Sequence, residues 1–528
     1  MPIRLTDPAP DAYDYPLLLK QLLPDPCTTH SEIVSGGERF TYVEQRDRIG
    51  RLGEALTALG VGPGMTVAVM GWDDHRYLEC YFAIPMLGAV LQTVNVRLSP
   101  EQIVYTLQQA EARVLLYHPD FEPLVAAISA HLPLLETRIL LADAGGRDTL
   151  VYERLIAAGD PAFAFPDFDE RAVATTFHTT GTTGLPKAVS FSHRQLVLHT
   201  LALGTALANQ PLGQGFRRDD VYMPLTPLFH VHAWGLPFLA TMLGSKQVYP
   251  GRYDPATIVA LKHAEGVTFS HCVPTILQMI LATRKAGDPP FDRWTMVIGG
   301  SALSSSLAAD ALAAGIRTVA GYGMSETGPV IALARSATDN SDTLRHAGLP
   351  LPLVRMRIQA PGDVSGELVL RAPWLTQGYA GQPEASADLW RDGWLHTQDV
   401  ADITAWGECR IVDRLKDVIK TGGEWLSSPQ LEELAMQHPG IAAVAFIGVS
   451  DERWGERPVA FIVPAADADP ATIDVRAHLA DFVRRGVISR YALPDHVIPL
   501  AALPTTSVGK IDKKVLRQLF PTMVVPAS

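Results

Sequence analysis

From about Phe40 onward, apolar positions alternate between helical spacing and short buried runs. Tyr42–Leu59 carries its apolar residues at three- and four-residue intervals and ends at Gly60, which predicts an amphipathic helix. Thr66–Met70 reads as a short buried strand, Tyr77–Gly88 as a second helix and Val90–Val94 as a second strand. Pro100–Ala110 is a further helix leading into the Val- and Leu-rich strand Ala112–Tyr117. The rhythm returns later, with a helix at Arg194–Ala208 and strands at Asp220–Met223, Val267–Pro274, Thr295–Gly300 and Val319–Gly321. Strands separated by helices imply a mostly parallel α/β sheet. Beyond Gly348 the pattern changes to short β segments, Arg355–Gln359, Gly366–Arg371 and Gly407–Val412, expected to form a small barrel-like subdomain. The remainder alternates again, with helices at Ser428–Gln437 and Ile473–Arg485 around strands at Ala442–Val449 and Pro458–Val463, as in a small α/β module.

Size and charge narrow the function classes. The chain has 528 residues, 47% of them apolar, enough for about three or four domain-sized units. Its net charge of −12 supplies no basic field for nucleic acid or anionic lipid, so any lysine that matters acts locally. Cys27, Cys80, Cys272 and Cys409 lie far apart with no CxxC pair, which argues against a disulfide framework or a zinc site and for a reducing, cytoplasmic setting. The first residues show no apolar signal-peptide core, and the longest apolar run, Cys80–Leu91, is too short to span a bilayer.

Candidate chemistry concentrates in a few stretches. Thr179–Ala188 reads Thr-Thr-Gly-Thr-Thr-Gly-Leu-Pro-Lys-Ala between two apolar segments. Glycines let backbone N–H groups converge, hydroxyls donate to phosphate oxygens and lysine adds charge, so the loop suits an anion. It lacks the Gly-Lys-Ser/Thr adjacency of the common nucleotide P-loop, and taken alone it also reads as a polar surface turn. Pro227–Trp234 places His230 and Trp234 in an otherwise apolar turn, where a hydrogen-bonded core histidine is the plainer reading. Tyr322-Gly-Met-Ser-Glu-Thr offers an aromatic to stack a base, a hydroxyl for phosphate and a carboxylate for a metal. Asp413–Lys420 is densely charged, and the glycines after it suggest a pivot.

Together and in order, these stretches resemble the adenylate-forming superfamily, in particular fatty-acyl-CoA synthetases. The resemblance runs over about residues 30–515 and rests on the 179–188 loop, Tyr322-Gly-x-Ser-Glu326, Trp394-x-x-Thr-x-Asp399, Asp413-Arg-x-Lys-Asp417 with Gly422–Gly423, and Thr506-x-x-Gly-Lys510. It implies an N-terminal domain over 1–413, made of α/β subdomains at about 1–170 and 171–345 and a small distorted β-barrel at 346–413. A hinge at 414–416 and a smaller mobile α/β domain over 417–528 would follow. The implied reaction joins a carboxylic acid to coenzyme A through an acyl-AMP intermediate, with ATP and Mg²⁺, and releases pyrophosphate and AMP.

The same resemblance distributes the roles. Thr179, Thr180, Gly181, Thr182, Thr183, Gly184 and Lys187 would clamp the β- and γ-phosphates, with Thr182 and Glu326 positioning Mg²⁺. Tyr322 would stack adenine against Gly300 and the Ala320–Gly321 backbone, Ser325 would meet the α-phosphate, and Asp399 with Arg414 would take the ribose. Lys510 would bridge carboxylate and α-phosphate. A turn of the C-terminal domain about Lys416 would exchange Lys510 for Lys420 and the Gly422, Gly423 and Trp425 loop, opening a path for coenzyme A. His230 would close over the acyl phosphate and Trp234 would gate an apolar acyl tunnel. An imidazole at 230 cannot replace the aspartate with which amino-acid-activating relatives hold an α-amino group. The acid expected is therefore a medium- or long-chain fatty acid. The alternatives are a short, branched, sulfur-containing or aryl acid, or a nucleotide binder without turnover. Relatives are often dimers, so a homodimer is a further expectation.

Two positions depart from the family pattern. Ala188 replaces a glycine after Lys187, which is tolerable only where the backbone avoids positive φ. Gln398 replaces a glycine before Asp399.

Overall fold

The computed structural model describes residues 9–13, 15–179, 185–211, 213–285, 287–334, 346–359, 366–466, 468–505 and 511–524. Thr180–Gly184 and Thr506–Lys510, which hold most of the expected phosphate loop and one expected catalytic lysine, lie outside the described residues.

Local signals set the helices. In Tyr42–Ala58, Thr41 and Glu44 form a reciprocal cap, and the buried Tyr42, Gln45, Ile49, Leu52 and Leu56 repeat at helical spacing along one face. Ser99 with Gln102 and Ser192 with Gln195 cap Pro100–Gln109 and His193–Ala208 in the same way. The strand Thr66–Met70, apolar after its first residue, is buried throughout, as a central parallel strand covered on both faces must be. The helix predicted from Tyr77 begins two residues earlier, at His75, because Asp74 caps it by accepting from Tyr77 N.

Two large sheets and one small one result. The first runs in the order Leu150–Val151, Thr137–Leu140, Ala112–Tyr117, Thr66–Met70, Val90–Thr93, Val173–Thr179 and Lys187–Ser192. Its neighbours are parallel except for the last pair, which is antiparallel. The second has a parallel centre ordered Lys246–Tyr249, Val221–Pro224, Phe269–Cys272, Trp294–Ile298 and Ile316–Gly323. At Tyr322/Gly323 the register shifts and the chain turns back into Val330–Leu333, after which every further neighbour is antiparallel.

The α/β reading therefore stands, but the small barrel expected over 346–413 does not close. His346–Pro350, Cys409–Arg414, Trp394–Ile403, Gly366–Arg371 and Arg355–Gln359 extend the second sheet side by side. Arg355–Gln359 ends it with strictly alternating exposed and half-buried positions, an edge with water on one side. Among the described residues no strand pairs across to complete a cylinder.

The C-terminal module has its own sheet, Glu424–Leu426, Ile419–Thr421, Gly455–Pro464 and Ile441–Asp451, with His496–Pro499 parallel to Gly455–Pro464. Helices Ser428–Ala435 and Val475–Arg484 pack on it around a separate apolar core that includes Ile419, Leu431, Phe446 and Leu479. Ser305 Oγ donates to Glu433 Oε1 at 3.0 Å, joining the helix Ser305–Ala313 of the large domain to this module.

Candidate active site

In open α/β sheets, ligands collect beyond the carboxyl ends of the parallel strands. Two neighbouring strands here, Trp294–Ile298 and Ile316–Gly323, deliver Gly299–Gly300 and Ala320–Gly321–Tyr322 to that edge. Gly300 sits at φ +81, where a side chain is unfavourable. A Cβ on Gly299 would lie 2.8 Å from Gly321 O and 3.1 Å from the Trp234 ring, so the floor of this edge admits no side chain there.

The antiparallel extension brings Asp399 to the same place. Tyr322 donates its hydroxyl to Asp399 Oδ2 at 2.7 Å, and Arg414 Nε stands 3.5 Å from Asp399 Oδ1. Asp399 and Arg414 are direct partners across two strands, which fixes their approach. Burial and the Asp399 carboxylate push the Tyr322 phenol well above its ordinary value, so it remains a donor. Its hydroxyl is committed to Asp399, so what the residue can offer a base is its ring.

A second group assembles beside it. Glu326, in the short turn Ser325–Thr327, is buried, and burial raises its carboxyl above the usual range. Tyr379 opposes that shift by donating to Glu326 Oε1 at 2.6 Å, and the Lys187 charge opposes it too. Lys187 Nζ lies over the Tyr379 ring, 4.6 Å from its centre. Thr179 and Lys187 face each other across the last antiparallel pair of the first sheet. Tyr379 was missed in the sequence. It sits in no motif, and only the fold brings it to Glu326 and Lys187.

The two departures from the family pattern resolve in opposite directions. Ala188 lies inside the strand Lys187–Ser192, outside the positive-φ residues, with its methyl buried, so no glycine is needed. Gln398 adopts φ +59, the left-handed conformation that glycine adopts freely. Its backbone is held on both sides, with Gln398 N donating to Glu367 Oε1 at 3.0 Å and Leu415 N donating to Gln398 O at 2.8 Å.

The turn carrying His230 and Trp234 is tied to the first sheet by Thr93 Oγ1 on Phe229 O at 3.0 Å and by Asp73 Oδ1, which accepts from Leu228 N at 2.9 Å. His230 is half-buried at its apex. Val231, His232, Ala233 and Trp234 then follow with φ +47, +54, +45 and +60, ahead of Gly235 at +77. Left-handed backbone costs a non-glycine residue about 1–2 kcal/mol, so this run persists only because its surroundings hold it. His271 Nε2 meets Ala233 O at 2.9 Å, the His199 ring occupies the space where a Gly235 Cβ would lie, and His232 is boxed by Tyr81, Phe177 and Phe238. Behind Trp234 stands a buried column: His271 at 5.0 Å between ring centres, then Tyr222, then Phe216 stacked on Phe269 at 4.7 Å.

Elsewhere, Lys420 is exposed and pairs across a hairpin with Trp425, its Nζ 5.4 Å from the ring centre. Gly422 and Gly423, at φ +57 and +83, make the two-residue turn of that hairpin. Lys416 O and Asp417 Oδ1 both accept from Arg517 Nη2, at 3.0 and 2.8 Å. Among the described residues no group of three or more His, Cys, Asp or Glu stands ready to hold a metal, and no helix is long and apolar enough to cross a membrane.

The sequence families agree with this geometry. The family model described as AMP-binding enzyme matches residues 26–380, and its companion, AMP-binding enzyme C-terminal domain, matches 430–510. The chain belongs to the AMP-binding enzyme family. Within it, the chain is 40% identical to a long-chain-fatty-acid–CoA ligase of Thermus thermophilus over 91% of this chain and 90% of that protein. It is 36% identical to a 3-methylmercaptopropionyl-CoA ligase of Ruegeria pomeroyi, with 96% and 97% covered. The fold of this AMP-binding enzyme is that of ATP-bound MatB from Rhodopseudomonas palustris, with a TM-score of 0.84 at 24% identity over 97% of this chain and all (100%) of that one.

Proposed function

We propose that this AMP-binding enzyme joins a carboxylic acid, foremost a medium- or long-chain fatty acid, to coenzyme A through an acyl-AMP intermediate. The observation that carries the proposal is the pairing of two groups at one sheet edge: Tyr322 with Asp399 and Arg414, and Glu326 with Tyr379 and Lys187. The first suits a nucleoside, with a ring face for the base and a carboxylate that accepts from ribose hydroxyls. The second suits phosphates, with a lysine that follows a Gly- and Thr-rich stretch of sequence. Relatives that share nine-tenths of the chain are CoA ligases.

In the first step a carboxylate oxygen attacks the α-phosphorus of ATP and the bond to pyrophosphate breaks. Anion meets anion, so the protein's work is neutralisation and alignment. Lys187 and Thr179, with Thr180–Gly184, hold the β- and γ-phosphates. Ser325 and Lys510 meet the α-phosphate, Lys510 bridging to the acid. Gly300 and the Ala320–Gly321 backbone line the adenine slot. The donor chemistry fits Mg²⁺: Glu326 is a single buried carboxylate, and Mg²⁺ is ordinarily held by one or two carboxylates together with phosphate oxygens and water. With Thr182 it would hold the ion, which when bound neutralises developing phosphate charge. In the second step the coenzyme A thiolate attacks the acyl carbon and AMP leaves. A turn about Lys416, within the hinge 414–416, withdraws Lys510 and presents Lys420 and the Gly422–Trp425 hairpin, with His230 over the acyl group and Trp234 beside the acid.

A second reading, a short, sulfur-containing or aryl acid, draws on the imidazole of His271 and the phenol of Tyr222 behind Trp234, which make that wall less uniformly apolar than a long alkyl chain would favour. Pyrophosphate release and thioester formation, measured with and without coenzyme A over acids from acetate to palmitate plus benzoate and branched acids, test both. Thioester formation strongest with medium or long chains supports the first reading, and a maximum at short or aryl acids supports the second. Release of no pyrophosphate with any acid would refute both and leave a nucleotide binder.

A further inference from the structure

We infer that His271 is a positioning residue for acid recognition: its Nε2–H holds Ala233 O and thereby keeps Trp234 against Gly299. The inference rests on the reading that Trp234 borders the acid. A carbonyl oxygen only accepts, so the 2.9 Å contact to Ala233 O requires the proton on Nε2 and leaves Nδ1 bare. Nδ1 is buried and meets no partner, and of the two contacts of Nε2 the one to Ala233 O, at 2.9 Å, is much shorter than the 3.4 Å to the Tyr222 hydroxyl, so the imidazole's stronger bond is spent on the left-handed segment. The His271 ring also backs the Trp234 indole directly, at 5.0 Å and 42°. Ala233 lies within four consecutive non-glycine residues in left-handed backbone, and besides its local backbone bonds to His230 O and from Leu236 N, His271 supplies the side-chain bond that holds it.

With that bond gone, the segment has less to hold it left-handed, and Trp234 is free to leave Gly299. Among the described residues the hydrogen bonds and ring contacts of His271 go to Ala233, Tyr222 and Trp234 and not to Tyr322, Asp399 or Glu326, so the effect is expected on the acid and not on ATP.

The test is steady-state kinetics on the full chain with the best acid found in the panel. His271→Leu is expected to raise the acid KM about five- to tenfold, the factor one net hydrogen bond contributes, with the ATP KM unchanged. Adding Ala233→Gly, which removes the left-handed penalty at that residue, recovers part of the loss. Should His271→Leu fail to fold, His271→Gln and His271→Asn carry the test. Glutamine reaches Ala233 O and keeps the acid KM, whereas asparagine falls short and raises it. A wild-type acid KM in His271→Leu, equal rises for acid and ATP, or equal KM values in the glutamine and asparagine variants would overturn the inference. A wild-type protein that forms no thioester with any acid defeats the proposed function instead, so the two failures are distinguishable.

Discussion

Tyr379 offers the sharpest test of the phosphate side of the site. Tyr379→Phe keeps the ring under Lys187 and removes one atom, the hydroxyl that donates to Glu326 Oε1 at 2.6 Å. Burial and the facing carboxylate push the phenol far above its ordinary value, so it stays protonated at any working pH and acts only as a donor. A hydrogen bond to a charged, buried acceptor is worth about 1.5–3 kcal/mol. Its loss leaves Glu326 with burial working less opposed, so the carboxyl protonates more readily and offers less charge to Mg²⁺. The expected fall in kcat/KM for MgATP in pyrophosphate release is about tenfold to a hundredfold, and the acid limb of its pH profile moves to higher pH. Acid KM should change little. A Tyr379→Phe enzyme with the wild-type MgATP kcat/KM and an unmoved acid limb would refute the reasoning, because it would mean the Glu326 contact contributes nothing to the charged site.

Other outcomes follow from separate contacts. Gln398→Gly should stabilise the protein by about 1 kcal/mol or less, since φ +59 strains glutamine but not glycine; a lowered melting temperature would contradict this. Arg517→Ala removes both bonds to Lys416 O and Asp417 and should slow CoA-dependent thioester formation more than pyrophosphate release, read in the two half-reactions separately. Burial holds His178, His193 and His199 down at about 4 and His232 and His271 at about 3, below the 6.5 of the unfolded chain. Their stability is complete above pH 6.5 and falls as pH drops toward the folded values, by about 2 kcal/mol each at pH 5. Asp73, which burial pushes up to about 7, works the other way, as do Glu326, Asp413 and Glu432, whose carboxyls burial also raises, so the five histidines outnumber the opposing carboxyls by one. A urea midpoint unchanged between pH 7 and pH 5 would contradict the assignment of neutral, buried imidazoles.

Strands with strong local patterns were legible end to end: Thr66–Met70, Ala112–Tyr117, Arg355–Gln359 and Gly366–Arg371 have the predicted limits. Alternation in short strands reads the same whether a sheet closes or continues, and so a barrel was expected where the sheet runs on. Of the motif residues, Tyr322, Asp399 and Arg414 meet at one strand edge, where the Arg414 charge also acts on Glu326. Partners joined only by the fold were invisible. Tyr379 reaches Glu326 from 53 residues away, and His271 reaches Ala233 from 38. The left-handed run at 231–234 was hidden for another reason: it contains no glycine, the one residue type that advertises such backbone.

In a protein of net charge −12 the cations that serve phosphates act locally, and the ion pairs near residues 413–417 also constrain the proposed turn of the C-terminal module. Arg414 belongs by register to Asp399 in the large sheet, whereas Asp417, three residues on, is bonded to Arg517 of the last helix. The proposed hinge at 414–416 thus lies between these two attachments. Asp413 complicates that placement. It lies before Arg414, yet its Oδ2 accepts from both Ser428 N, at 2.8 Å, and Ser428 Oγ, at 2.6 Å, while Lys513 Nζ donates to the same Ser428 Oγ and pairs with Glu432. Ser427 Oγ adds a bond to Val412 O. Any rotation at Lys416 that carries the C-terminal module away must break this buried set, and each broken member would leave a polar or charged group short of a partner. The arrangement seen here is thus a distinct, held orientation, and a second orientation needs replacement partners for Asp413, Lys513 and Glu432.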